Sequence, residues 1–458
     1  MSAGALPGFR DFYPKELAER EHVFRAWHDV ARRFGFEQYD GPPLESLDLY
    51  TRKSGDEIVG QLYNFTDKGG REVALRPEMT PTFARMVSAR ANALPKPVRW
   101  YSIPQLFRYE RQQKGRLREH FQLNVDIVGD TDVAADAELL AVALEIMREC
   151  GLGSHDVLAR VSDRRLLTAL LNAWGVPDES VPEAYAAIDK IDRDPRERLI
   201  ARLAAAGVSG DVATLVLDAV TASDVKALGE SLGHIPAVRV GLERIEQYLS
   251  LMDSHGLADW VRLDLSIVRG LAYYTGIVFE LFDRKGEFRA ICGGGRYDNL
   301  LRDLGDVDLP ALGFGMGDVV LAELLRARGL MPVEHRGTDF YIAAEDPVTD
   351  AEIVRLATSL RHLGASVEYA FHRSSMGKQR KAAWSAEANY IVEVRPMPEG
   401  NRLILRDGAG AGFVSAVSNG RTLGDILGET LLEPADLLKL VRAHPRSVRP
   451  DFVVRPEP

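Results

Sequence analysis

The sequence predicts an α+β protein in which an all-helical segment interrupts a unit of helices and strands, and a small α/β unit follows. Three observations predict this order. A strictly alternating segment lies among helical patterns in the first 160 residues. From about residue 162 to 253 apolar residues recur at helical spacing, and after residue 336 strand and helix patterns alternate. A chain of 458 residues is long enough for about two to four domains.

We place the domain boundaries where the composition and the periodicity of apolar residues change along the chain. In chain order the predicted segments are a first mixed part at 1–160, a helical insertion at 161–256, a second mixed part at 257–332, an α/β unit at 336–430 and a tail rich in Pro and Arg at 431–458.

The composition is that of an ordinary globular protein, with 46% hydrophobic and 27% charged residues, and it excludes disordered, collagen-like and disulfide-scaffold proteins. Cys150 and Cys292 are far apart and lack metal-ligand spacing, which is typical of a reducing cytosol and argues against zinc or a disulfide framework. The sequence contains no apolar run of about 18 residues, so no membrane span is predicted. The N-terminus is charged too early for the apolar stretch of a signal peptide. We therefore expect a cytoplasmic protein with no membrane partner.

The first mixed part opens with an amphipathic helix over 15–35, which Gly35 ends. Residues 99–129 predict a strand, a polar loop and a second strand. The second strand alternates strictly, with Phe121, Leu123, Val125 and Ile127 on one face and Gln122, Asn124 and Asp126 on the other. A helix is expected at 135–150.

Later elements follow from the same patterns. Further helices are expected at 166–174 and from Pro195 onward, and a glycine-rich strand that leads into a helix is expected at 312–328. Strands are expected at 263–267, 273–282, 339–344, 366–370 and 390–394, and helices of the last unit at 349–363 and 377–388.

The hairpin at 107–129 brings charged groups together. Arg108 and Glu110 share a face of its first strand, Gln122 and Asp126 share a face of its second, and its loop carries Lys114, Arg116 and Arg118. If the faces coincide, they form a site for a phosphate-bearing ligand with a cationic or hydrogen-bonding group, because the arginine fork matches a phosphate. The alternative is an exposed amphipathic hairpin with ordinary surface charges.

A second candidate lies at Glu78 and Thr80, two residues apart after Pro77. A carboxylate and a hydroxyl in this arrangement could hold an ammonium group. Alternatively, Thr80 is the N-cap of a helix that has Pro81 at its first position.

The third candidate is residues 268–280. If this segment is a strand, Tyr273 and Tyr274 point to opposite faces, so that one packs and the other offers its hydroxyl to a ligand near Arg269. The alternative is a core strand with a solvent-exposed arginine.

Glycines at 293–295, followed by Tyr297, permit close backbone approach. This cluster lacks the phosphate-loop and dinucleotide patterns and is alternatively a turn.

A basic patch lies further along the chain, on a predicted helix and the residues before it. It consists of Arg373, Lys378, Arg380 and Lys381, near Trp384. Such a run contacts nucleic acid or forms a solvated helix face.

Together these segments resemble the histidyl-tRNA synthetases, of the class II aminoacyl-tRNA synthetase group, over roughly residues 7–430. FRYERQQKGR with HFQLNVDIVG is similar to the family's motif 2, and LRPEMT to its amino-acid-binding segment. VRGLAYYTG resembles the histidine-specific signature and GGGRYDNL its companion. The resemblance implies a catalytic domain with an antiparallel sheet of the class II synthetase type, a helical insertion, a C-terminal α/β anticodon-binding domain and a homodimer.

The resemblance also implies a ligase that activates L-histidine with ATP and Mg²⁺ to histidyl-adenylate and transfers the histidyl group to the 3′ end of tRNA(His). Arg108 and Arg269 would be its catalytic residues. Histidine would contact Glu78, Thr80, Gln122, Asp126, Tyr273, Tyr274, Gly294, Gly295 and Tyr297. ATP would contact Arg108, Glu110, Arg116 and Arg269. Lys114 and Arg118 would face the tRNA acceptor stem.

Three positions depart from the family pattern. Motif 3 usually reads Gly-x-Glu-Arg, but Gly317 is followed here by Asp318, Val319 and Val320, so the motif 3 arginine is absent. Ala272 stands where an acid is common before the tyrosine pair, and Asp126 is the shorter of two acids that the family accepts.

The absent arginine favours an alternative function, a non-catalytic histidine-binding paralogue that resembles the regulatory subunit of ATP phosphoribosyltransferase. The intact VRGLAYYTG signature and the apparent anticodon-binding domain favour the ligase. A general nucleic-acid-binding module would explain the basic patches but not the polar face of residues 122–126. The net charge of -10 also counts against it.

Overall fold

The computed structural model describes residues 4–51, 60–110, 117–269, 273–331, 338–346, 348–362, 364–372, 374–397 and 400–407, and the pairs 417–418, 421–422 and 431–432. The chain divides into two compact units, Met1–Pro332 and Val333–Pro458. Each unit is built around its own sheet.

The first unit contains a nine-stranded sheet and a separate three-stranded sheet. Its strands are β1 (Glu37–Gln38), β2 (Leu44–Ser46), β3 (Tyr63–Thr66), β4 (Glu72–Leu75), β5 (Val98–Ser102), β6 (Gln105–Phe107), β7 (Glu119–Val128), β8 (Val157–Asp163), β9 (Val261–Leu263), β10 (Ile277–Asp283), β11 (Cys292–Arg296) and β12 (Ala311–Gly317). The large sheet has the order β1-β5-β7-β12-β11-β10-β8-β9, with β6 also paired to β7, and the small sheet has the order β2-β4-β3.

The large sheet is antiparallel from β5 to β8, and only its two outermost pairs, β1 with β5 and β8 with β9, are parallel. The predicted α+β class with an antiparallel sheet is thereby confirmed. Strand β7 is paired with β5 on one side and with β12 on the other, so it is an interior strand of the sheet.

One face of the large sheet carries the main apolar core. Leu123, Val125 and Ile127 of β7 pack there with residues of helices α1 (Pro14–Arg33) and α4 (Val133–Glu149). Trp27 of α1 is completely buried in this core. Because side chains alternate along a strand, the polar side chains of β7 must point to the opposite face.

Shorter helices of the first unit are α2 (Leu47–Thr51), α3 (Thr80–Ala89), α11 (Leu300–Gly305) and α12 (Asp318–Ala327). Helices α3 and α11 contribute Phe83, Val87 and Leu301 to a second apolar cluster, which also contains Val128 of β7. Val128 has the same strand parity as Asp126, so this cluster lies on the face of the polar side chains. These side chains therefore meet protein and not open solvent.

The helices between β8 and β9 are α5 (Arg164–Ala173), α6 (Val181–Ile188), α7 (Arg196–Ala205), α8 (Gly210–Ala222), α9 (Val225–Leu232) and α10 (Pro236–Ser254). They bury a separate apolar cluster that includes Leu166, Leu203 and Ile245. The carboxylate of Asp163, the last residue of β8, accepts hydrogen bonds from the backbone N–H groups of Arg165 and Leu166 and so caps α5.

The second unit contains β13 (Phe340–Ala344), α13 (Asp350–His362), β14 (Val367–Tyr369), α14 (Met376–Ser385), β15 (Tyr390–Met397), β16 (Gly400–Asp407), β17 (Val417–Ser418), β18 (Arg421–Thr422) and β19 (Leu431–Leu432). Strand β13 pairs parallel with β14 and β15, and β16 pairs antiparallel with β15 and β19. Parallel strands joined by helices make this an α/β unit, as predicted. Across both units, no helix in the described ranges has the length and hydropathy needed to span a membrane.

Candidate active site

A cavity of about 330 Å³ lies on the polar face of the large sheet, and we call it the first cavity. It is lined by Gln61, Glu78, Thr80, Arg108, Glu110, Gln122, Asn124, Asp126, Arg269, Tyr273, Tyr274, Gly293, Tyr297, Gly313, Phe314 and Gly315. Strands β7, β11 and β12 form its floor. The structure thus brings together side chains from four separated segments that the sequence had suggested one by one.

Asp126 and Tyr297 form the most buried polar pair of the first cavity. The Tyr297 hydroxyl donates a hydrogen bond to Oδ1 of Asp126, and the two residues are only 2% and 4% exposed. The Tyr297 ring has edge contacts with Tyr273 and Tyr274, at centroid distances of 5.8 and 6.4 Å. One end of the cavity is therefore a carboxyl group surrounded by phenols.

Burial raises the pKa of Asp126 to about 7, although the hydrogen bond from Tyr297 lowers it. Desolvation opposes the charged form of a carboxyl group, and one hydrogen bond compensates only part of that cost. Near neutral pH the empty site therefore contains Asp126 in both its acid and its carboxylate form.

The raised pKa of Asp126 makes the folded state bind a proton more tightly than the unfolded state, whose aspartate has a pKa near 3.8. Stability therefore falls as the pH rises from about 4 to about 7. We expect Asp126→Asn, which cannot ionise, to gain stability relative to the wild type as the pH rises, with a gain at pH 8 that exceeds the gain at pH 5 by about 2–3 kcal/mol. Urea unfolding at both pH values, without ligands, measures the difference.

The exposed Asp253→Asn on α10 is the matched control for this substitution, and its effect should be small at both pH values. A stability gain for Asp126→Asn that is equal at pH 5 and pH 8 would show that Asp126 does not change its ionisation in this range.

Arg269 occupies the cavity wall near Tyr274. Its Nη1 donates to Oε1 of Glu280 at 2.5 Å, and its guanidinium carbon lies 5.7 Å from the centre of the Tyr274 ring. Burial by itself would lower the pKa of Arg269, but the interactions with Tyr274 and Glu280 outweigh it and raise that pKa. Arg269 is therefore a permanent cation in the site.

Two features of Arg269 are unusual for a structural residue. Its φ of 58° lies in the left-handed region, which is costly for any residue other than glycine. Its Nε is buried and has no hydrogen-bond partner among the described residues. A strained backbone and an unsatisfied donor in a cavity are typical of a group held ready for a ligand.

The tyrosine pair corrects one expectation. Strand β10 begins at Ile277, so Tyr273 and Tyr274 precede it and do not alternate across a sheet. Both line the first cavity, and their ring centroids lie 4.9 Å apart. Tyr274 adjoins Arg269. The phenol bonded to Asp126 is Tyr297, which the resemblance implied only as one of several histidine contacts. Ala272 falls outside the described residues.

Three glycines of the floor leave space for the functional side chains. A Cβ at Gly313 would collide with Oδ1 of Asp126, and a Cβ at Gly293 would collide with the Arg269 guanidinium. A Cβ at Gly315 would lie 2.7 Å from Nε2 of Gln122. Gly293 pairs with Gly315 across β11 and β12, so the three residues form a continuous glycine platform.

The glycines predicted for the wall were Gly294 and Gly295, and the structure places neither in the cavity lining. A Cβ at Gly294 would collide with the carbonyl oxygen of Gly313, and one at Gly295 would lie 2.5 Å from that of Ile277. These two glycines therefore allow the strands of the sheet to approach each other.

Glu78 and Thr80 line the first cavity together with Gln122. The N-cap of α3 is Met79, and Thr80 is already the first residue of the helix, so the alternative that Thr80 serves as N-cap is wrong. Glu78 is 7% exposed. A buried carboxyl group, a hydroxyl and an amide in one wall provide acceptors for an ammonium group.

Arg108 and Glu110 connect the first cavity to a smaller one of about 130 Å³, which we call the second cavity. Its other lining residues are Leu117, His120, Gly317, Val319 and Val320. Nε of Arg108 donates to the carbonyl oxygen of Pro77 at 2.9 Å, which fixes the direction of the guanidinium. An arginine at the junction of two cavities suits a phosphate that links two parts of one ligand.

The other predicted contacts are divided between described and undescribed residues. Lys114, Arg116 and Arg373 lie outside the described residues. The guanidinium of Arg118 lies 4.1 Å from the centre of the Tyr109 ring, and its aliphatic stem packs against Gly8. Arg118 is therefore packed against the N-terminal segment.

In the second unit, Nε of Arg380 donates to the buried Glu393 at 2.6 Å. Lys378 and Lys381 are exposed and lie three residues apart on α14. Residues at this spacing share a helix face. The exposed part of the basic patch, among its described residues, is therefore this lysine pair.

Sequence reasoning missed the side chains of Gln61, Asn124, Phe314 and Glu280, and the floor glycines Gly313 and Gly315. Asn124 alternates with Gln122 and Asp126, so strand periodicity could have added it. Phe314 lies beside the floor glycines on β12, and Glu280 reaches Arg269 from β10. No local pattern distinguishes Gln61. Among the described residues, no group of three or more His, Cys, Asp or Glu side chains could hold a metal ion.

Comparisons with known proteins identify the family of the chain. The family model described as histidyl-tRNA synthetase matches residues 8–318. The histidine–tRNA ligase of Opitutus terrae is 44% identical over 86% of this chain and 90% of that protein. The chloroplastic/mitochondrial histidine–tRNA ligase of Arabidopsis thaliana is 40% identical over 84% of this chain and 79% of that protein.

Solved structures agree at the level of the fold. The histidyl-tRNA synthetase of Nostoc sp. PCC 7120 superimposes with a TM-score of 0.79 at 21% identity, over 97% of this chain and all of that chain. The motifs that line the first cavity, the sheet that positions them and the family match over residues 8–318 lead to one conclusion. The chain belongs to the histidyl-tRNA synthetase family.

Proposed function

We propose that the chain is a histidine–tRNA ligase, an aminoacyl-tRNA ligase that forms histidyl-adenylate from L-histidine and ATP and transfers the histidyl group to the 3′ end of tRNA(His). One observation carries the proposal: Asp126, Tyr274 and Arg269 line the same cavity. An acid and a phenol for a ring with two nitrogens, and a cation for an anionic reaction centre, are what this reaction requires.

The amino acid is expected to lie in the first cavity with its imidazole at Asp126 and its α-amino group at Glu78, Thr80 and Gln122. The carboxylate form of Asp126 accepts a hydrogen bond from one ring N–H, and the phenols next to it are available to the other ring nitrogen. Amino acids whose side chains cannot hydrogen-bond to the polar groups at this end of the cavity should bind poorly. Each buried polar group left without a partner costs about 1–3 kcal/mol.

The ATP is expected to bridge both cavities, with its α-phosphate at Arg108 and its nucleoside in the second cavity. Glu110, at the junction, is the carboxylate that would hold a Mg²⁺ ion arriving with ATP, since Mg²⁺ usually takes one or two carboxylates together with substrate phosphates. Such an ion would neutralise phosphate charge. The role assigned to Arg116 remains a prediction from the sequence.

In the first step a carboxylate oxygen of histidine attacks the α-phosphorus, and the bond from that phosphorus to the bridging oxygen breaks to release pyrophosphate. Arg269 and Arg108 stabilise the negative charge that builds up on the α-phosphoryl group. In the second step a ribose hydroxyl of the tRNA attacks the carbonyl carbon, its proton passes to solvent, and the bond from that carbon to the phosphate oxygen breaks to release AMP. Neither step needs an enzyme nucleophile, so the protein acts by positioning and charge.

The regulatory-subunit alternative has less support. It rests on the absent motif 3 arginine at Val320 and on a fold likeness, with a TM-score of 0.71 at 20% identity, to a Bacillus halodurans protein named as an ATP phosphoribosyltransferase regulatory subunit/histidyl-tRNA synthetase. The relatives at 40–44% identity over most of the chain are histidine–tRNA ligases.

The experiment that tests the proposal is amino-acid-dependent exchange of labelled pyrophosphate into ATP. Histidine should support exchange, and the other amino acids should not. A folded preparation that binds histidine but shows no exchange would favour the regulatory alternative.

A homodimer and a cytoplasmic location complete the proposal. The dimer follows from the family resemblance, and the location is supported by two free, buried cysteines that are typical of reducing compartments.

The lysine pair of α14 is expected to serve tRNA binding and not the chemical step. We expect Lys378→Ala with Lys381→Ala to raise the KM for tRNA by roughly 3- to 30-fold, because two phosphate contacts of about 1 kcal/mol each are lost. Pyrophosphate exchange should stay within twofold of the wild type. Equal losses in aminoacylation and exchange would contradict a tRNA role for this patch.

A further inference from the structure

The walls of the second cavity come from two distant parts of the chain that Arg10 joins. Nε of Arg10 donates to Oε1 of Glu119 at 2.6 Å, at the start of β7. Nη1 of Arg10 donates to Oδ2 of Asp318 at 2.8 Å, at the start of α12. One guanidinium from the N-terminal segment therefore links the strand and the helix that form the cavity.

Both acids are buried and use their second oxygens elsewhere. The side chains of Glu119 and Asp318 are 1% and 5% exposed. Gln105 donates to Oε2 of Glu119 at 2.9 Å, and the backbone N–H of Phe121 donates to Oδ1 of Asp318 at 3.0 Å. Without Arg10, two carboxylates would lie close together in a buried region with no compensating cation from this side chain.

The residues that follow these acids are cavity residues. His120 comes directly after Glu119, and Val319 and Val320 come directly after Asp318. The Arg10 contacts therefore link an imidazole wall to an aliphatic wall, in addition to the pairing of β7 with β12. Burial, with smaller contributions from Arg108 and Arg10, lowers the pKa of His120 to about 3, so its ring is neutral.

A neutral planar ring opposite aliphatic side chains makes an apolar slot that suits a nucleobase. In the family pattern this helix start carries the motif 3 arginine, whereas this chain has Asp318 and two valines there. The aspartate is the residue that receives Arg10. A cation from the N-terminal segment thus reaches a helix start whose first three residues carry none.

We propose that Arg10 is a positioning residue for ATP, which holds the walls of the second cavity together through Glu119 and Asp318. The inference rests on the proposed function, because it assigns the nucleoside of ATP to the second cavity.

The test is steady-state pyrophosphate exchange with Arg10→Met and Asp318→Asn. Both variants should raise the KM for ATP at least tenfold and leave the KM for histidine within twofold, because histidine occupies the first cavity. The double variant should be no worse than Arg10→Met, since the two groups act through one contact. Arg10→Lys, which keeps the charge but cannot hold both acids with one fork, should show an intermediate KM for ATP.

Arg326→Met is the matched control. Arg326 also joins α12 to the N-terminal part of the chain, through Oε2 of Glu19 at 2.6 Å, but this pair is at the surface and lines neither cavity. Its KM for ATP should be unchanged. A similar rise in this control, or an equal rise in both KM values for Arg10→Met and Asp318→Asn, would show a general structural role and overturn the proposal.

Pyrophosphate exchange by the wild type distinguishes a failure of the proposed function from a failure of the role proposed for Arg10. No histidine-dependent exchange by the wild type would refute the proposed function itself. Exchange by the wild type with an unchanged KM for ATP in Arg10→Met and Asp318→Asn would refute only the role of Arg10.

Discussion

Arg269→Ala is expected to lower the rate of histidine-dependent pyrophosphate exchange by about 10²- to 10³-fold. The substitution removes the cation that we propose faces the charge developing between the histidine carboxylate and the α-phosphate. The KM for ATP should change much less than kcat, because the loss is concentrated in the transition state.

Two further variants separate the charge of Arg269 from its strained backbone. Arg269→Gly removes the strain of a φ of 58° and should be as inactive as Arg269→Ala. Arg269→Lys should recover part of the rate because it keeps the charge. Recovery by glycine and not by lysine would mean that the backbone conformation, and not the guanidinium, matters for catalysis.

Arg262→Ala provides the matched control. Its side chain is 61% exposed and pairs only weakly with Asp264, at 3.5 Å, so the exchange rate should stay within twofold of the wild type. An equal loss in both variants would trace the effect to the fold of the segment around residues 261–269.

Gly313→Ala is expected to raise the KM for histidine by roughly 10- to 100-fold, equivalent to an overpacking cost of about 1–3 kcal/mol. The new methyl group would collide with the Asp126 carboxyl group and lie 2.8 Å from the Tyr297 hydroxyl and from the Val125 carbonyl oxygen. The strand cannot move away cheaply, because β12 is paired on both sides.

The KM for ATP should change less than threefold in Gly313→Ala, since the second cavity does not include this residue. Gly210→Ala, at the first position of α8, is the control for adding a methyl group, because no atom lies within 4 Å of the new Cβ. If Gly313→Ala left histidine binding unaltered, the Asp126–Tyr297 pair would not be the recognition element.

The sequence predicted strand β7, which supports the site. It did not predict that the polar face of this strand lines a cavity. Strict alternation placed Gln122 and Asp126 on one face of β7, and this is local information. Whether that face meets water or a cavity depends on α3, α11 and the segment of Tyr273 and Tyr274, which pack there from distant positions in the sequence. Tertiary contacts of this kind leave no periodic signal.

The errors have specific physical origins. Residues 273–282 are rich in aromatic and β-branched residues and were expected to be one strand, but the structure begins β10 only at Ile277. Gly294 and Gly295 were expected at the cavity, but the register of β11 against β12 brings Gly293 there. Arg10 carries no motif at all, and only the structure shows that it reaches Asp318 across 308 positions of the chain.

The raised pKa of Asp126 also couples histidine binding to the release of protons into the buffer. With a pKa of about 7, Asp126 is partly protonated in the empty enzyme near neutrality, yet it must be an anion to accept an imidazole N–H. Histidine binding should therefore release a fraction of a proton from Asp126. The binding enthalpy measured by titration calorimetry should then depend on the ionisation enthalpy of the buffer. Phosphate and Tris would give different apparent enthalpies for the same complex.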